Sequence, residues 1–334
     1  MRLLRRRWPM AIICILGLII FLGNAPGIFE GNMIKGKVNE NTAQAVSGTK
    51  AYDGQADNVK NQSDNSQGTT AASPAASDLK GELKVHFIDV GQADSILVQQ
   101  GNAAMLVDGG NNEDGPGVKC YLEQQKITQL DYVVGTHAHE DHIGGLDTVI
   151  NSFKVGKVYF PKQTATTATY KDFVKAVKNK GLSFTAPVVG DTFKLGDATC
   201  TIIAPNGTSY EDPNDYSIVI KVTYGNNSFL LTGDAEAKSE AEIVAKGMNI
   251  SADVLKVGHH GSKSSTSQSF LDKVNPRYAV ISVGKGNDYG HPTQETLNRL
   301  KNKGVKIYRT DENGTVIAVS NGRDISFKTQ PGTY

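Results

Sequence analysis

The chain has 334 residues, 39% of them hydrophobic and 21% charged, with a formal net charge of +1. That length allows one core-forming domain of about 250 residues beside a substantial remainder, and the near-neutral balance excludes a global basic field as the means of gathering nucleic acid or an anionic membrane. Three cysteines, Cys14, Cys120 and Cys200, are too few and too scattered for a disulfide framework or a Cys-x-x-Cys site. Cys120 and Cys200 are expected as buried small hydrophobes, a bridge between them being the alternative.

Residues 1–29 open with Arg2, Arg5, Arg6 and Arg7 ahead of the uncharged run Met10–Gly23. Basic residues before an apolar run are the pattern of a secretory signal, and arginines held on the cytoplasmic side send everything downstream across the membrane. Cleavage after Ala25 is disfavoured by Pro26. Left uncut, the run extends through Ile28 and Phe29 and can serve as a signal anchor, a crossing taking about 20 residues. The expected location is extracytoplasmic, secreted or held to the cell membrane by this segment. Cys14 follows Ile13, where a lipid-attachment cysteine needs a small residue. Residues 30–79 are rich in Asn, Gln, Ser, Thr, Gly and Ala and poor in large apolar residues. Such a segment buries too little surface to offset its ordering entropy, so it is expected to be a disordered polar linker.

Residues 80–330 carry α/β patterning. Short β-branched runs bounded by Gly, Asn or Asp predict strands at Lys84–Asp89, Ser95–Gln99, Ala103–Val107, Tyr132–Val134, Lys157–Phe160 and Thr199–Ile203. Further strands are predicted at Ser217–Val222, Ser228–Leu231, Val254–Val257, Tyr278–Ser282 and Val305–Tyr308. Helical periodicity covers Tyr170–Lys180, with Phe173, Val174 and Val177 on one face, and also Glu236–Lys246, Ser267–Val274 and Thr293–Lys303. Glu312-Asn313-Gly314 and Ser320-Asn321-Gly322 predict hairpin turns. Strands followed by strand–helix units imply two sheets with helices outside.

Of the seven histidines in the chain, three fall within Thr136-His137-Ala138-His139-Glu140-Asp141-His142-Ile143-Gly144-Gly145, directly after an apolar strand. Imidazole nitrogen and carboxylate oxygen suit borderline divalent metals at about 2.0–2.2 Å. Leaving a strand, His137 and His139 can converge on one ion while Asp141 and His142 turn toward a second. Gly144 and Gly145 let the next helix approach closely. His86, alternating in a strand far upstream, is expected to be structural.

This H-x-H-x-D-H motif resembles that of the metallo-β-lactamase superfamily. The resemblance implies that Asp234, ending Leu230-Leu231-Thr232-Gly233-Asp234, bridges two metals, and that Asp108, in Leu106-Val107-Asp108-Gly109-Gly110, supports the histidines from behind. It also requires a last histidine ligand at the second metal. His291 is the first choice and His260 the alternative, and whichever is not a ligand is placed to protonate the leaving oxygen. His260 and Asp141 are the residues to which catalytic roles are assigned. His259 is expected to orient neighbouring groups, and Ser262, beside Ser264 and Ser265, to offer a hydroxyl to phosphate.

No histidine lies between His142 and His259, where β-lactamases, glyoxalases and lactonases keep a third ligand for the first metal. Asn214-Asp215-Tyr216-Ser217 occurs there instead, so Asp215, with Asn214 as the alternative, can supply an oxygen ligand. Together with Phe87-Ile88-Asp89-Val90-Gly91-Gln92-Ala93-Asp94-Ser95 and Leu255-Lys256-Val257-Gly258-His259-His260-Gly261-Ser262, the pattern resembles the ComEC-type competence hydrolase branch across about residues 83–320. The departures are Ala93 for a usual Gly, His139 for a frequent Asp, and at most one membrane span, which leaves a stand-alone relative unable to conduct DNA. The resemblance implies a four-layer αββα sandwich, two divalent ions (zinc or manganese) that lower the pKa of a shared water, and phosphodiester cleavage with DNA as substrate. No obligate protein partner is evident. The competing readings are a small-molecule hydrolase of lactones, thioesters or β-lactams, and a non-catalytic metal-containing surface binding module.

Overall fold

Leu83, Val85 and Phe87 are wholly buried on one face of the first strand, and the alternation of side chains along a strand means that each such run builds a sheet surface that something must cover. The computed structural model describes residues 79–331. Strands β1 (Leu83–Phe87), β2 (Ile96–Gln100), β3 (Ala103–Val107), β4 (Gln129–Val134), β5 (Lys154–Tyr159) and β6 (Phe184–Thr185) form one sheet. Strands β7 (Thr192–Leu195), β8 (Ala198–Ala204), β9 (Val219–Tyr224), β10 (Asn227–Leu231), β11 (Val254–Lys256), β12 (Tyr278–Ile281) and β13 (Lys306–Arg309) form the other. The chain then returns, and β14 (Thr315–Ser320) pairs antiparallel with β1 and with β15 (Ile325–Gln330) at the edge of the first sheet.

Three apolar clusters define the layers. Leu83, Val85, Phe87 and Met105 of the first sheet meet Cys200, Val222, Phe229 and Leu231 of the second between the sheets. The outer face of the first sheet packs under α1 (Gly115–Gln124), α2 (Glu140–Ile143), α3 (Leu146–Ser152) and α4 (Ala168–Asn179), through residues such as Val118, Ile143, Val149 and Phe173. The outer face of the second packs under α5 (Ala237–Lys246), α6 (Gln268–Val274) and α7 (Gln294–Asn302), through Ile243, Phe270 and Leu300. The four-layer αββα sandwich implied by the sequence is therefore the fold.

Within each half, parallel strands run β3-β4-β5 and β10-β11-β12-β13. In such sheets, loops leaving the carboxyl ends of adjacent strands gather on one edge, where sites are built. Two sequence expectations need correction. Glu312-Asn313-Gly314 is no hairpin: it lies in and after the short helix α8 (Thr310–Asn313), and Gly314 at φ +65° carries the chain from one sheet to the other. Cys120 is exposed on α1 while Cys200 is buried between the sheets, and both are free thiols. The Ser320–Gly322 turn does close a hairpin. The signal or anchor segment 1–29 and nearly all of the polar linker 30–79 lie outside the described residues. Among the described residues no helix is long and apolar enough to cross a membrane.

Candidate metal centre

The loop after β4 delivers His137, His139, Asp141 and His142, the loop after β10 delivers Asp234, and the turn after β11 delivers His260. Both sheets thus contribute to one cluster. One ligand atom each from Asp141, His142, Asp234 and His260 lie within 4.8 Å of one another. His142 Nε2 is 3.2 Å from Asp234 Oδ2, and His260 Nε2 is 3.2 Å from Asp141 Oδ2 and 3.6 Å from Asp234 Oδ2. Donors bound at 2.0–2.2 Å to a tetrahedral ion stand about 3.3–3.6 Å apart, so these spacings suit a shared cation. His142 Nε2 and Asp234 Oδ1 are buried and make no hydrogen bond, as expected of atoms whose partner is an ion. Beside this group, His137 Nε2 and His139 Nδ1 are 3.0 Å apart, and the His137 and His142 rings are 4.2 Å apart between centroids.

The imidazoles of His142, His260 and His137 are fixed from behind. Asp108, in the left-handed region at φ +60°, accepts from His142 Nδ1 (2.8 Å), from the Thr136 backbone N–H (2.8 Å) and from Thr136 Oγ1 (2.8 Å). His260 Nδ1 faces the Ser282 carbonyl at 3.0 Å, which directs Nε2 into the cluster. Ser217 Oγ sits between His137 Nδ1 (3.3 Å) and the Asp234 N–H (3.1 Å), tying the two sheets' ligands together. Ligand histidines are commonly held this way, which fixes the tautomer and the ring plane.

The charges follow from burial and proximity. Burial alone would lower the pKa of His142, but Asp234, Asp108 and Asp141 outweigh it and hold the ring well above the ordinary imidazole value. His260 is raised in the same sense, against burial, by Asp234 and Asp141. Burial would raise Asp234, yet His142 and His260 hold it well below the usual carboxylate range. His137 is pushed well below the ordinary value by burial and then by His142. The raised His142 and His260 and the lowered Asp234 share one cause, a concentration of acidic charge at the cluster that a cation would neutralise.

Gln92, His139, Glu140, Asp141, Asp234, His259, His260, Tyr289 and His291 line a cleft of about 330 Å³ over the cluster. His259 lies against Glu236 (Nδ1 to Oε1, 2.9 Å), with Nε2 3.9 Å from Asp234 Oδ2. His291, the first choice for the last ligand, lies outside the ligand group; its ring packs edge-on against His259 with centroids 5.5 Å apart, and the loop holding it keeps it at the cleft wall. The alternative, His260, is the one that lies with Asp141, His142 and Asp234. Asp215 is also not brought to the ligands. Its carboxylate accepts from the backbone N–H groups of Glu236 (3.3 Å) and Ser239 (3.2 Å), satisfying amides at the start of α5. Asn214 turns its amide toward Glu236 (3.3 Å). Ser262 is 7% exposed and its hydroxyl bonds to Ser264 (2.9 Å), away from the cleft lining. His86 is buried against Tyr121, 35 residues away in sequence, with Nδ1 2.8 Å from the hydroxyl.

Residue-by-residue reading missed Thr136, Ser217 and Glu236, which support the histidines. It also missed the ion pair of Lys256 and Asp94, 2.8 Å apart and both buried, where Asp94 Oδ1 lies 3.5 Å from His260 Nδ1. A lysine inside the apolar strand Val254–Lys256 is the signal that could have found the pair, because a buried ammonium needs an anion beside it.

A family model described as the metallo-beta-lactamase superfamily matches residues 88–285. ComE operon protein 3 of Bacillus subtilis (strain 168) is 33% identical over 276 residues, covering 77% of this chain and 34% of that protein. Competence protein ComA of Neisseria gonorrhoeae is 31% identical over 239 residues, covering 71% of this chain and 32% of that protein. The chain therefore spans about a third of the length of these curated relatives. Among solved structures, the metallo-beta-lactamase fold protein YhfI from Bacillus subtilis aligns with a TM-score of 0.49 at 13% identity, over 74% of this chain and 100% of that one. From the matched family model and these relatives, the chain belongs to the metallo-beta-lactamase superfamily, with relatives among the ComEC-type competence proteins.

Proposed function

We propose that the chain is an extracytoplasmic, binuclear metal-dependent phosphodiesterase that acts on nucleic acid, with DNA as its substrate. The observation that carries this reading is the convergence of Asp141, His142, Asp234 and His260 beside the His137–His139 pair at the floor of an open cleft. His137 and His139 would hold one ion, Asp141, His142 and His260 the other, and Asp234 would reach both. Zinc or manganese there would supply Lewis acidity toward a phosphoryl oxygen and a water ionised near neutral pH. Asp108 and the Ser282 carbonyl keep Nε2 of His142 and His260 turned inward. His259 and His291 are cleft imidazoles outside the ligand group. His291, with His259 beside it (Nδ1 2.9 Å from Glu236 Oε1), faces the cleft, where an imidazole could pass a proton to the departing sugar oxygen.

The kinship with competence proteins and the lack of a histidine between His142 and His259 favour a phosphodiester over a lactone, thioester or β-lactam. The arginine-led apolar segment at 1–29 supports export. The test uses protein stripped of metal and reloaded with zinc or manganese, assayed on labelled DNA, bis-p-nitrophenyl phosphate, nitrocefin and a thioester. Phosphodiester cleavage should appear with added cation. It should fall by at least about 10³-fold in Asp234→Asn, because the metals supply several kcal/mol of transition-state stabilisation. Faster turnover of nitrocefin or the thioester, or full DNA cleavage by chelator-treated protein, would overturn the reading.

A further inference from the structure

Among the described residues two large apolar side chains lie open to solvent, Val188 at 56% and Tyr289 at 72% exposure. Tyr289 stands at the catalytic cleft. Its loop, residues 284–291, is pinned from inside by Asn287. Asn287 Oδ1 accepts from the backbone N–H groups of Tyr289 (3.2 Å) and His291 (3.1 Å), and Nδ2 donates to the carbonyls of Gly284 (3.0 Å) and His291 (2.6 Å). Asn287 therefore fixes the backbone that carries Tyr289, whose ring stands open to solvent. It lies nearly parallel to the His291 ring, at 25° with centroids 5.8 Å apart, and His291 meets His259 edge-on at 5.5 Å. An aromatic row thus runs from the cleft mouth to within 3.9 Å of Asp234, the distance from His259 Nε2.

An exposed aromatic face forgoes the free energy of burial, and a rigid one at a site wall is suited to a planar ligand. Every nucleobase presents such a face, and stacking on it tolerates any sequence. We propose that Tyr289 is a stacking platform for a nucleobase flanking the scissile linkage, so that the enzyme takes single-stranded nucleic acid in preference to duplex, whose bases are already paired and stacked. This rests on the phosphodiesterase reading for its cleavage arm, while its binding arm is independent of turnover.

The experiment uses the full chain loaded with metal. Fluorescent oligo-dT, a duplex of equal length, and an abasic deoxyribose-phosphate strand are compared by anisotropy and by cleavage kinetics. Tyr289→Ala should weaken oligo-dT binding and raise KM about 5- to 100-fold, with a much smaller change in kcat, and Tyr289→Trp should restore both. The wild-type protein should lose a comparable factor on the abasic strand, and adding Tyr289→Ala to that change should cost little more, because both remove one contact. Unchanged affinity and KM in Tyr289→Ala, a Trp variant as weak as Ala, an undiminished loss on the abasic strand, or a preference for duplex would each overturn the platform. Tyr289-dependent binding without any product would instead sustain the platform and remove the nuclease reading.

Discussion

His142 and His86 are both buried imidazoles, and their neighbours drive them to opposite states. His142 faces Asp108, Asp141 and Asp234, which outweigh its burial. His86 has the Tyr121 hydroxyl on Nδ1, while its Nε2 is buried without a partner; burial, and then Lys84, push its pKa down to about 3. The unfolded chain takes up this proton near pH 6.5 and the folded chain does not until near pH 3. Between those values the unfolded state binds more protons, so the His86 contribution to stability declines as pH falls through the window, by up to about 1.4 kcal/mol per pH unit, and is flat above it. Replacing His86 with Leu should remove that contribution. Urea unfolding of wild type and His86→Leu from pH 7 to pH 4 should show the variant gaining relative stability as pH drops. Parallel curves would refute the assignment. His137, His139, Asp141 and His142 stand out in the sequence because three histidines within six positions after a strand have few structural uses, whereas Asp234 followed only from the family resemblance. The choice between His260 and His291 could not be made there, since it turns on the path of the loop 284–291. Asp215 is equally ambiguous in sequence: an aspartate shortly before a helix can bind a metal or satisfy helix amides, and in the structure its carboxylate accepts from the Glu236 and Ser239 N–H groups.

The segment from β4 into α3 owes its geometry to glycines rather than to the ligands themselves. A Cβ on Gly145 would collide with the Gly109 carbonyl oxygen and stand 2.8 Å from Gly115 Cα, and one on Gly144 would collide with the backbone of Asn111 and Asn112. These neighbours are backbone and cannot swing aside. The contact clamps the loop carrying Asp108 against the loop carrying His142, so a candidate ligand and the residue that orients it share one steric joint. Gly145→Ala should therefore destabilise the fold by about 1–3 kcal/mol, as overpacking does, and should weaken metal binding in the molecules that remain folded. Chemical denaturation together with metal titration checks this, and a stability change under about 0.5 kcal/mol would rule it out. At this scale the sequence was most informative where apolar periodicity was long, as in α4 and α5. It said least about α1, whose start at Gly115-Pro116 reads as a turn, and about Glu312–Gly314. A turn signal marks a reversal of the chain without saying whether the next strand joins the same sheet.

The two sheets are joined by their apolar interface and also at the candidate centre, where β4 of one and β10 and β11 of the other supply the ligands. A cation there would bond across the sandwich, and because the unfolded chain cannot gather these groups, its binding free energy would become folding free energy. At a free metal concentration about 100 times Kd, one site adds about 2.7 kcal/mol. For a domain of this size, that shifts the melting temperature by roughly 5–10 °C. Chelator-treated protein should melt that far below protein reloaded with zinc or manganese, and Asp234→Asn should lose most of the difference, since Asp234 touches ligands from both sheets. The same shift is expected in a fragment spanning residues 79–334, because every candidate ligand and all three apolar clusters fall among the described residues. Differential scanning calorimetry on the full chain and the fragment, each with and without metal, reads all four states. Equal melting temperatures with and without metal would mean that the two sheets are not bridged by a cation, whatever the spacing of their histidines and aspartates.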